Sequence, residues 1–284
     1  GKEKFLNNGE KIVFHQFILD DFQVKAIREL MEGKSVLVSA PTGVGKTLIA
    51  DYLIDQAKQK GERIIYTAPI KALSNQKFKE FKYWHGEENV GIITGDVVIN
   101  SEAPICIMTT EIFRNILHQD IKRMEGVSHV IFDEIHYLSD EERGTVWEES
   151  IIFMPDHMRI LGLSATIPNA SELASWISEI KNHEVVVIRK WKRSVPLKHF
   201  LYEKKLGRTT IPKIIEYLEA KEREYGESKY RIRFEPTTHL DLIRHIGRNG
   251  QPCLYFVFSR KLCEDMAYEL SLQHDYLSPP EKEQ

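Results

Sequence analysis

Short apolar runs alternate with amphipathic segments along most of the chain. The apolar runs predict strands at residues 36–38, 63–67, 90–94, 105–109, 129–132, 159–164 and 185–188. The segments between them carry apolar residues at helical spacing and predict helices at residues 47–57, 71–81, 111–118 and 172–180. Strands that alternate with helices favour a mostly parallel sheet with helices on both faces, so we predict an α/β fold.

A further helix is expected before the first of these strands, because Phe22, Ala26 and Leu30 recur at helical spacing. Gln23 lies on this helix. Its side-chain amide is suited to a bidentate contact with the edge of an adenine base, and a solvated helix glutamine is the plainer alternative. Residues 1–16 form a polar lead-in without a clear period.

The pattern changes after about residue 201, where charged residues become frequent. Helices are still expected at residues 211–223 and 240–246, but the polar sequence between them has little periodicity. We interpret residues 203–250 as a charged connector or insertion that follows a first domain at residues 1–202.

The last part of the chain predicts one strand and one helix. Residues 253–258 are strongly apolar and predict a buried strand, and Ser259 is placed to cap a helix over residues 260–272. One strand and one helix bury too little surface to form a domain. We therefore interpret residues 251–284 as the incomplete start of a second domain, and we expect the chain to be a piece of a longer protein.

The first predicted strand runs into a turn with two glycines, then Lys-Thr and a helix, which is the arrangement of a phosphate-binding loop. Backbone N–H groups there would converge on phosphate oxygens at a helix N-terminus, and glycine permits the close approach. Lys46 adds charge for the β- and γ-phosphates, and the Thr47 hydroxyl can bind Mg²⁺. The usual pattern opens with glycine, and Ala40 breaks that strict form. The predicted nucleotide-binding residues are Gln23, Thr42, Gly43, Val44, Gly45, Lys46 and Thr47.

Two carboxylates, Asp133 and Glu134, end another apolar strand. ATP hydrolysis requires such a pair, because one carboxylate holds Mg²⁺ at the phosphates and the next orients and polarises the attacking water. With Lys46, they form the predicted catalytic set. Two acids that simply cap a buried strand are the alternative.

A histidine and two hydroxyls follow these carboxylates along the chain. His136 extends the string to Asp-Glu-Ile-His, and Ser164 and Thr166 flank an alanine at the end of a further strand. Hydroxyls there can link a nucleotide pocket to a neighbouring domain by hydrogen bonds. A structural histidine and a helix cap are the alternatives, since a helix is predicted shortly afterwards.

Composition narrows the class of protein. The chain has 284 residues, enough for one large or two ordinary domains, and a net charge of −3 excludes a global basic field. Any nucleic-acid contact must therefore be local. Three cysteines without metal or disulfide spacing suggest an intracellular setting, cytoplasmic or nuclear. The sequence has no apolar run of about 18 residues, so we expect no membrane contact.

Six short motifs occur in the order seen in superfamily-two DExH-box helicases, which the chain therefore resembles. They are residues 40–47, 67–76, 94–96, 109–111, 133–136 and 164–166. The longer strings at residues 133–149 and 163–169 are similar to the superkiller-type branch, to which exosome-associated RNA helicases belong. The resemblance is good over residues 17–202, poor over 203–250 and fragmentary over 251–275.

The resemblance implies a RecA-like P-loop domain, the start of a second RecA-like domain, and ATP-driven movement on nucleic acid. By position, Lys46 and Thr47 would bind phosphate and Mg²⁺, Asp133 would bind Mg²⁺, and Glu134 would activate water. Gln23 would read adenine. The residues that would couple hydrolysis to strand movement are His136, Ser164 and Thr166.

In this family, segments that follow three of the strands grip the sugar–phosphate backbone of a single strand. Lys71, Lys77 and Arg114 would supply charge there, and the donors would be Asn75, Thr94 and Thr110. Solvated loop ends are the alternative. The resemblance favours RNA over DNA and implies RNA-degradation machinery as a partner.

One departure from the family pattern matters for activity. In the family, an arginine finger lies late in the second domain, and this chain stops before that position. A missing arginine finger typically lowers the rate of hydrolysis by about 10³–10⁵. We therefore expect this chain alone to bind ATP weakly and to hydrolyse it poorly. The alternatives to an RNA helicase are a DNA helicase of the same superfamily, a P-loop ATPase that remodels proteins or transports solute, and a non-enzymatic binding module.

Overall fold

The computed structural model describes residues 12–136, 144–193, 195–225, 236–250, 252–273 and 275. The chain divides into two compact units between Pro196 and Leu197. This division precedes residue 202, where the sequence placed the end of the first domain. The assignment of residues 203–250 to a connector and of 251–284 to the start of a second RecA-like domain stays a prediction.

The first unit alternates strands and helices, as the sequence predicts. Its strands are β1 (Val13–Phe14), β2 (Phe17–Ile18), β3 (Ser35–Ser39), β4 (Arg63–Ala68), β5 (Val90–Ile93), β6 (Val98–Ile99), β7 (Ile105–Thr109), β8 (Val127–Phe132), β9 (Arg159–Ser164) and β10 (Val185–Arg189). Its helices are α1 (Asp21–Met31), α2 (Thr47–Gln59), α3 (Lys71–His85), α4 (Thr110–Gln119), α5 (Gly144–Phe153) and α6 (Ala170–Lys181).

Eight of these strands form one sheet in the order β10-β3-β9-β8-β4-β7-β5-β6. Neighbouring strands are parallel except at the last pair, where β6 runs antiparallel to β5. The predicted mostly parallel sheet is therefore confirmed. Because β3, β9, β8 and β4 are consecutive and parallel, the segments that follow them emerge at the same edge.

Helices cover both faces of the sheet. Val36 and Val38 of β3 pack with α1 and α2 in one hydrophobic cluster, whereas Leu37 between them packs with α4, α5 and α6 in another. This alternation follows from the two-residue period of a strand, and it requires β3 to be apolar on both sides. Trp147 of α5 is among the largest fully buried side chains.

The second unit contains a strand pair, β11 (Leu201–Glu203) and β12 (Gly207–Thr209), and helices α7 (Ile211–Tyr225), α8 (His239–Ile246) and α9 (Arg260–Gln273). The predicted cap of α9 is confirmed, because Ser259 Oγ accepts from the backbone N–H of Leu262 over 3.0 Å. Among the described residues of both units, no helix is long and apolar enough to cross a bilayer.

The buried strand predicted at residues 253–258 is wrong. The segment forms no strand, and Leu254 and Phe256 are 83% and 87% exposed. Extended backbone becomes a strand only when a neighbouring strand satisfies its N–H and C=O groups. Within the part of the second unit that the structure describes, no strand pairs with this segment.

Candidate functional site

The sequence-predicted motifs gather at the carboxyl edge of the central strands. The phosphate loop follows β3, Ser164 ends β9, Asp133 and Glu134 follow β8, and Lys71 begins the helix after β4. Strand β9 lies between β3 and β8, so the Ser-Ala-Thr segment separates the loop from the carboxylates. Residues distant in sequence thus form one continuous polar edge.

The loop after β3 needs its glycines for backbone conformation. Gly43 and Gly45 have φ values of 81° and 86°, in the left-handed region that other residues rarely adopt. Lys46 is the N-cap of α2, and its Nζ donates to the carbonyl oxygens of Ala40 and Pro41 over 2.8 and 3.0 Å. The ammonium group therefore folds back over its own loop, where it would meet bound phosphates.

Gln23 is not the solvated helix residue of the plainer alternative, because it is only 4% exposed. Its Oε1 accepts from the backbone N–H of Asp20, and its Nε2 donates to the carbonyl oxygen of Gly45, both over 2.7 Å. Both halves of the amide are thus bonded to protein. The adenine-reading role stays a prediction.

Asp133 is fixed through both of its carboxylate oxygens. Oδ2 accepts from the hydroxyl of Tyr66 over 2.6 Å, and Oδ1 accepts from the backbone N–H of Glu134 over 3.0 Å. Tyr66 is completely buried. Burial raises the pKa of the Tyr66 phenol well above its usual value, and the charge and hydrogen bond of Asp133 raise it further. The phenol therefore remains a donor.

Glu134 has a φ of 54°, which is uncommon for a residue with a side chain. Its Oε2 lies 3.3 Å from Nδ1 of His136, and the same Nδ1 accepts from the backbone N–H of Ala165 over 3.3 Å. One nitrogen cannot accept from Ala165 and donate to Glu134 at once. Whether Nδ1 of His136 carries a proton therefore decides which of these two neighbours it bonds.

The Ser-Ala-Thr segment is also bonded to the strand that feeds the phosphate loop. Ser39 Oγ at the end of β3 accepts from the backbone N–H of Ile167 over 3.1 Å, and the Ala40 N–H donates to the Ser164 carbonyl over 3.2 Å. Ser164 Oγ is buried without a hydrogen-bond partner among the described residues. Thr166 is exposed at the same edge.

The charges of the site act on Lys46. Burial lowers the pKa of its ammonium group, and the nearby charge of Arg193 lowers it further. The negative charges of Glu134 and Asp133 oppose this change and raise the Lys46 pKa. The Lys46 ammonium group and the Asp133 and Glu134 carboxylates are therefore close enough to affect one another's charge. Hydrolysis of a phosphate needs both a cation and carboxylates of this kind.

Oxygen donors suited to Mg²⁺ are present at this edge. Thr47 and Asp133 offer a hydroxyl and a carboxylate, both partly exposed. No group of three or more His, Cys, Asp or Glu side chains within the described ranges could hold a metal ion alone. Mg²⁺ in nucleotide sites needs no such group, because substrate phosphates and waters complete its shell. These residues fit the predicted ion.

The predicted backbone-gripping residues form two groups. In the first group, Lys71 is exposed and ion-paired with Asp96, whose other oxygen accepts from Thr94 Oγ1 over 3.1 Å. Hydrogen bonds from Lys71 and then Thr94 lower the pKa of Asp96. Asn75 is exposed on the same helix as Lys71. Lys71 and Asn75 are accessible, whereas Thr94 is only 4% exposed.

The second group is more enclosed. Lys77 is ion-paired with Glu80 over 2.8 Å. Thr110 is buried, and its hydroxyl donates to the Ala68 carbonyl at 3.4 Å. Arg114 lies 3.5 Å from a Glu149 carboxylate oxygen. These side chains would have to exchange protein partners for phosphate, so their predicted role remains an expectation.

Residues 20–173, more than half of the chain, match the DEAD/DEAH box helicase family. The chain belongs to this family. Antiviral helicase SKI2 of Saccharomyces cerevisiae is 47% identical over 211 residues, covering 74% of this chain and 16% of that protein. The predicted resemblance of this DEAD/DEAH box helicase chain to the superkiller-type branch is confirmed.

DExH-box ATP-dependent RNA helicase DExH9 of Arabidopsis thaliana is 37% identical over 278 residues, covering 90% of this DEAD/DEAH box helicase chain. The chain spans only 28% of that relative. Among solved structures, the DNA-bound DUF1998 helicase MrfA has a TM-score of 0.53 at 21% identity, over 61% of this chain and 27% of the other. That likeness concerns the fold alone, and the predicted RecA-like fold is confirmed.

Sequence patterns missed two residues of this helicase site. Tyr66 lies within β4, two residues before its end, and contacts Asp133, which lies 67 positions later. Arg193 follows β10, the strand that pairs with β3, and its charge reaches Lys46. For Tyr66, the only signal in the sequence was a tyrosine near the polar end of a predicted buried strand. For Arg193, it was a run of basic residues after the strand predicted at residues 185–188.

Proposed function

We propose that the protein is an ATP-dependent helicase that acts on RNA with ATP and Mg²⁺. One observation carries the proposal: Lys46 follows β3, Asp133 and Glu134 follow β8, and both groups lie at the same edge of the sheet, on either side of β9. A cation for the phosphates, a carboxylate for the metal and a carboxylate for the attacking water are the parts that ATP hydrolysis needs.

Each of these residues would have one role in the reaction. Lys46 and the N–H groups of the glycine loop would hold the β- and γ-phosphates at the N-terminus of α2. Thr47 and Asp133 would hold Mg²⁺, which when bound neutralises charge on the phosphates. Glu134 would accept a proton from the water whose oxygen attacks the γ-phosphorus, and ADP would leave.

Coupling would pass through His136. Its ring stands between Glu134 and Ala165, and Ala165 lies in the segment that is bonded to the end of β3. A change in the bonding of Glu134 during hydrolysis would change which neighbour His136 contacts. Ser164 and Thr166 would carry that change toward a second domain.

Single-stranded RNA is the proposed substrate. The proposal rests on the superkiller-type motif strings and on a relative whose name contains ATP-dependent RNA helicase. The same resemblance supports a role beside RNA-degradation machinery in an intracellular setting. Lys71 and Asn75 are the accessible members of the proposed contact set.

The decisive experiment measures ATP hydrolysis by the full-length protein without nucleic acid, with single-stranded RNA, and with DNA of equal sequence, all at one salt concentration. Stimulation by RNA alone is expected. Equal or greater stimulation by DNA would move the assignment to a DNA helicase of this fold. No stimulation by either would favour the protein-remodelling alternative.

A further inference from the structure

Tyr66 contacts the carboxylate that the proposed function assigns to Mg²⁺, and it does so from inside the protein. Its hydroxyl donates to Asp133 Oδ2 over 2.6 Å, although the ring is completely buried. Tyr66 pairs in register with Ile131, and the two-residue period of β8 directs Asp133 to the same side as Ile131. The phenol therefore reaches Asp133 from the buried interior, and not from the exposed carboxyl edge of the sheet where nucleotide would bind.

The ring of Tyr66 is itself held in place. The Phe81 ring packs edge-on against it, with centroids 5.1 Å apart and planes at 88°. Tyr66 also lies in β4, between β8 and β7 in the sheet. The hydroxyl is thus a rigid donor whose direction is set by the core.

The two donors to Asp133 act on different oxygens. Tyr66 serves Oδ2, and the backbone N–H of Glu134 serves Oδ1. Each carboxylate oxygen has further acceptor capacity after one hydrogen bond, so metal or metal-bound water can still be bound. With both oxygens bonded, the carboxylate plane cannot rotate freely.

We propose that Tyr66 is a positioning residue that orients the Asp133 carboxylate for binding Mg²⁺ together with nucleotide. The proposal rests on the proposed function, in which Asp133 holds the metal. Partners that orient a metal ligand typically change metal affinity by about 10–100-fold when they are removed. Tyr66 would therefore set how strongly Mg²⁺ tightens nucleotide binding, without touching the nucleotide itself.

The test compares full-length wild-type protein with Tyr66→Phe, using a fluorescent ADP analogue titrated at a series of Mg²⁺ concentrations and in EDTA. The Mg²⁺ concentration at half-maximal tightening should rise about tenfold in Tyr66→Phe. Affinity in EDTA should not change, because the phosphate loop is intact. A merely structural role would lower both affinities together or neither.

Tyr52→Phe is the matched control, because it also removes one phenol hydroxyl from a buried ring, on α2. It should keep the wild-type Mg²⁺ dependence. In an Asp133→Asn background, Tyr66→Phe should have no further effect on Mg²⁺ dependence, since the two residues act through one ligand. An unchanged Mg²⁺ dependence in Tyr66→Phe, or an equal effect in the Asp133→Asn background, would overturn the proposal.

A measurement on unaltered protein keeps the proposal testable if Tyr66→Phe does not fold. A crystal structure with Mg²⁺ and ADP should retain the Tyr66–Asp133 hydrogen bond while Asp133 faces the metal, and loss of that bond would overturn the inference. Failure of the proposed function has a different outcome. In that case Mg²⁺ would not tighten nucleotide binding even in the wild-type protein.

Discussion

The side-chain amide of Gln23 donates to the carbonyl oxygen of Gly45 over 2.7 Å, so helix α1 is tied directly to the phosphate loop. A Cβ atom on Gly45 would lie 2.8 Å from Nε2 of Gln23, and only glycine fits without moving that amide. The second amide atom, Oε1, closes a capping box at the start of α1 through Asp20. Gln23 therefore supports the phosphate loop whether or not it also contacts adenine.

Replacing Gln23 with alanine should weaken binding of the triphosphate group as well as of ATP. The loop would lose one buried hydrogen bond, which typically contributes about 0.5–1.5 kcal/mol, or roughly two- to twelvefold in affinity. Competition by inorganic tripolyphosphate, which has no base, measures this directly. If Gln23→Ala weakens ATP and leaves tripolyphosphate unchanged, the residue reads adenine and does not support the loop.

The backbone of Glu134 makes an unusual stability prediction. At φ = 54°, a residue with a Cβ costs about 1–2 kcal/mol relative to glycine. Glu134→Gly should therefore be more stable than Glu134→Ala in urea unfolding. At Glu179, which is exposed on helix α6, the alanine variant should instead be more stable than the glycine variant, by roughly 0.5–1 kcal/mol. Equal order at both positions would contradict the left-handed conformation of Glu134.

The fold was predictable where each local pattern agreed with its environment. Strand β3 is apolar on both sides and lies inside the sheet, so its sequence alone was sufficient. Helix α5 was missed because Trp147 is buried whereas Phe153 is exposed, and its apolar residues do not mark one face. The error at residues 253–258 has another cause, since an apolar sequence does not supply a partner strand.

The site residues that belong to short contiguous sequence motifs could be predicted. Lys46 and Asp133 belong to contiguous motifs, and the parallel sheet brings those motifs to one edge. The contact between Tyr66 and Asp133 depends on the register of β4 against β8, which no local pattern specifies. The left-handed backbone of Glu134 likewise depends on its surroundings, because glutamate has no preference for that region.

Lys46→Ala and Glu134→Gln should separate binding from hydrolysis in the full-length protein. Loss of the Lys46 charge removes charge-assisted contacts to phosphate and should weaken ATP binding about 10–100-fold. Glu134→Gln should keep ATP bound while turnover falls by about 10²–10⁴. Lys60→Ala, at the far end of helix α2, is the control for both assays. Normal turnover by Glu134→Gln would disprove its water-activating role.

The ion pair between Lys71 and Asp96 predicts opposite effects of two substitutions on RNA affinity. Lys71→Ala should weaken binding of single-stranded RNA and reduce its salt slope by about one, because one phosphate contact is lost. Asp96→Asn should strengthen binding, because Lys71 is released from its carboxylate. Fluorescence anisotropy across a salt series measures both, with exposed Lys79→Ala on α3 as control. Unchanged affinity in both variants would exclude this surface.

His129 predicts how acid destabilises the first unit. Burial lowers its pKa from 6.5 to about 4, and the charges of Lys60 and Arg159 lower it while Glu62 opposes them. Its Nδ1 lies 2.9 Å from Ser128 Oγ, and Nε2 is buried without a hydrogen-bond partner among the described residues. The folded protein therefore holds this ring neutral at a pH where the unfolded chain protonates it.

The sign of the effect follows from proton binding. Between pH 6.5 and about 4, the unfolded state binds more protons at His129 than the folded state, so the free energy of unfolding falls as the pH falls. The loss at this site is at most about 3 kcal/mol and stops growing below the folded pKa. His129→Gln should flatten this part of the profile in urea unfolding from pH 7 to pH 4, since glutamine does not titrate. His157→Gln, at an exposed histidine, should leave it unchanged. An equally steep profile in His129→Gln would mean that the ring is already protonated in the folded state, and that its burial does not control acid stability.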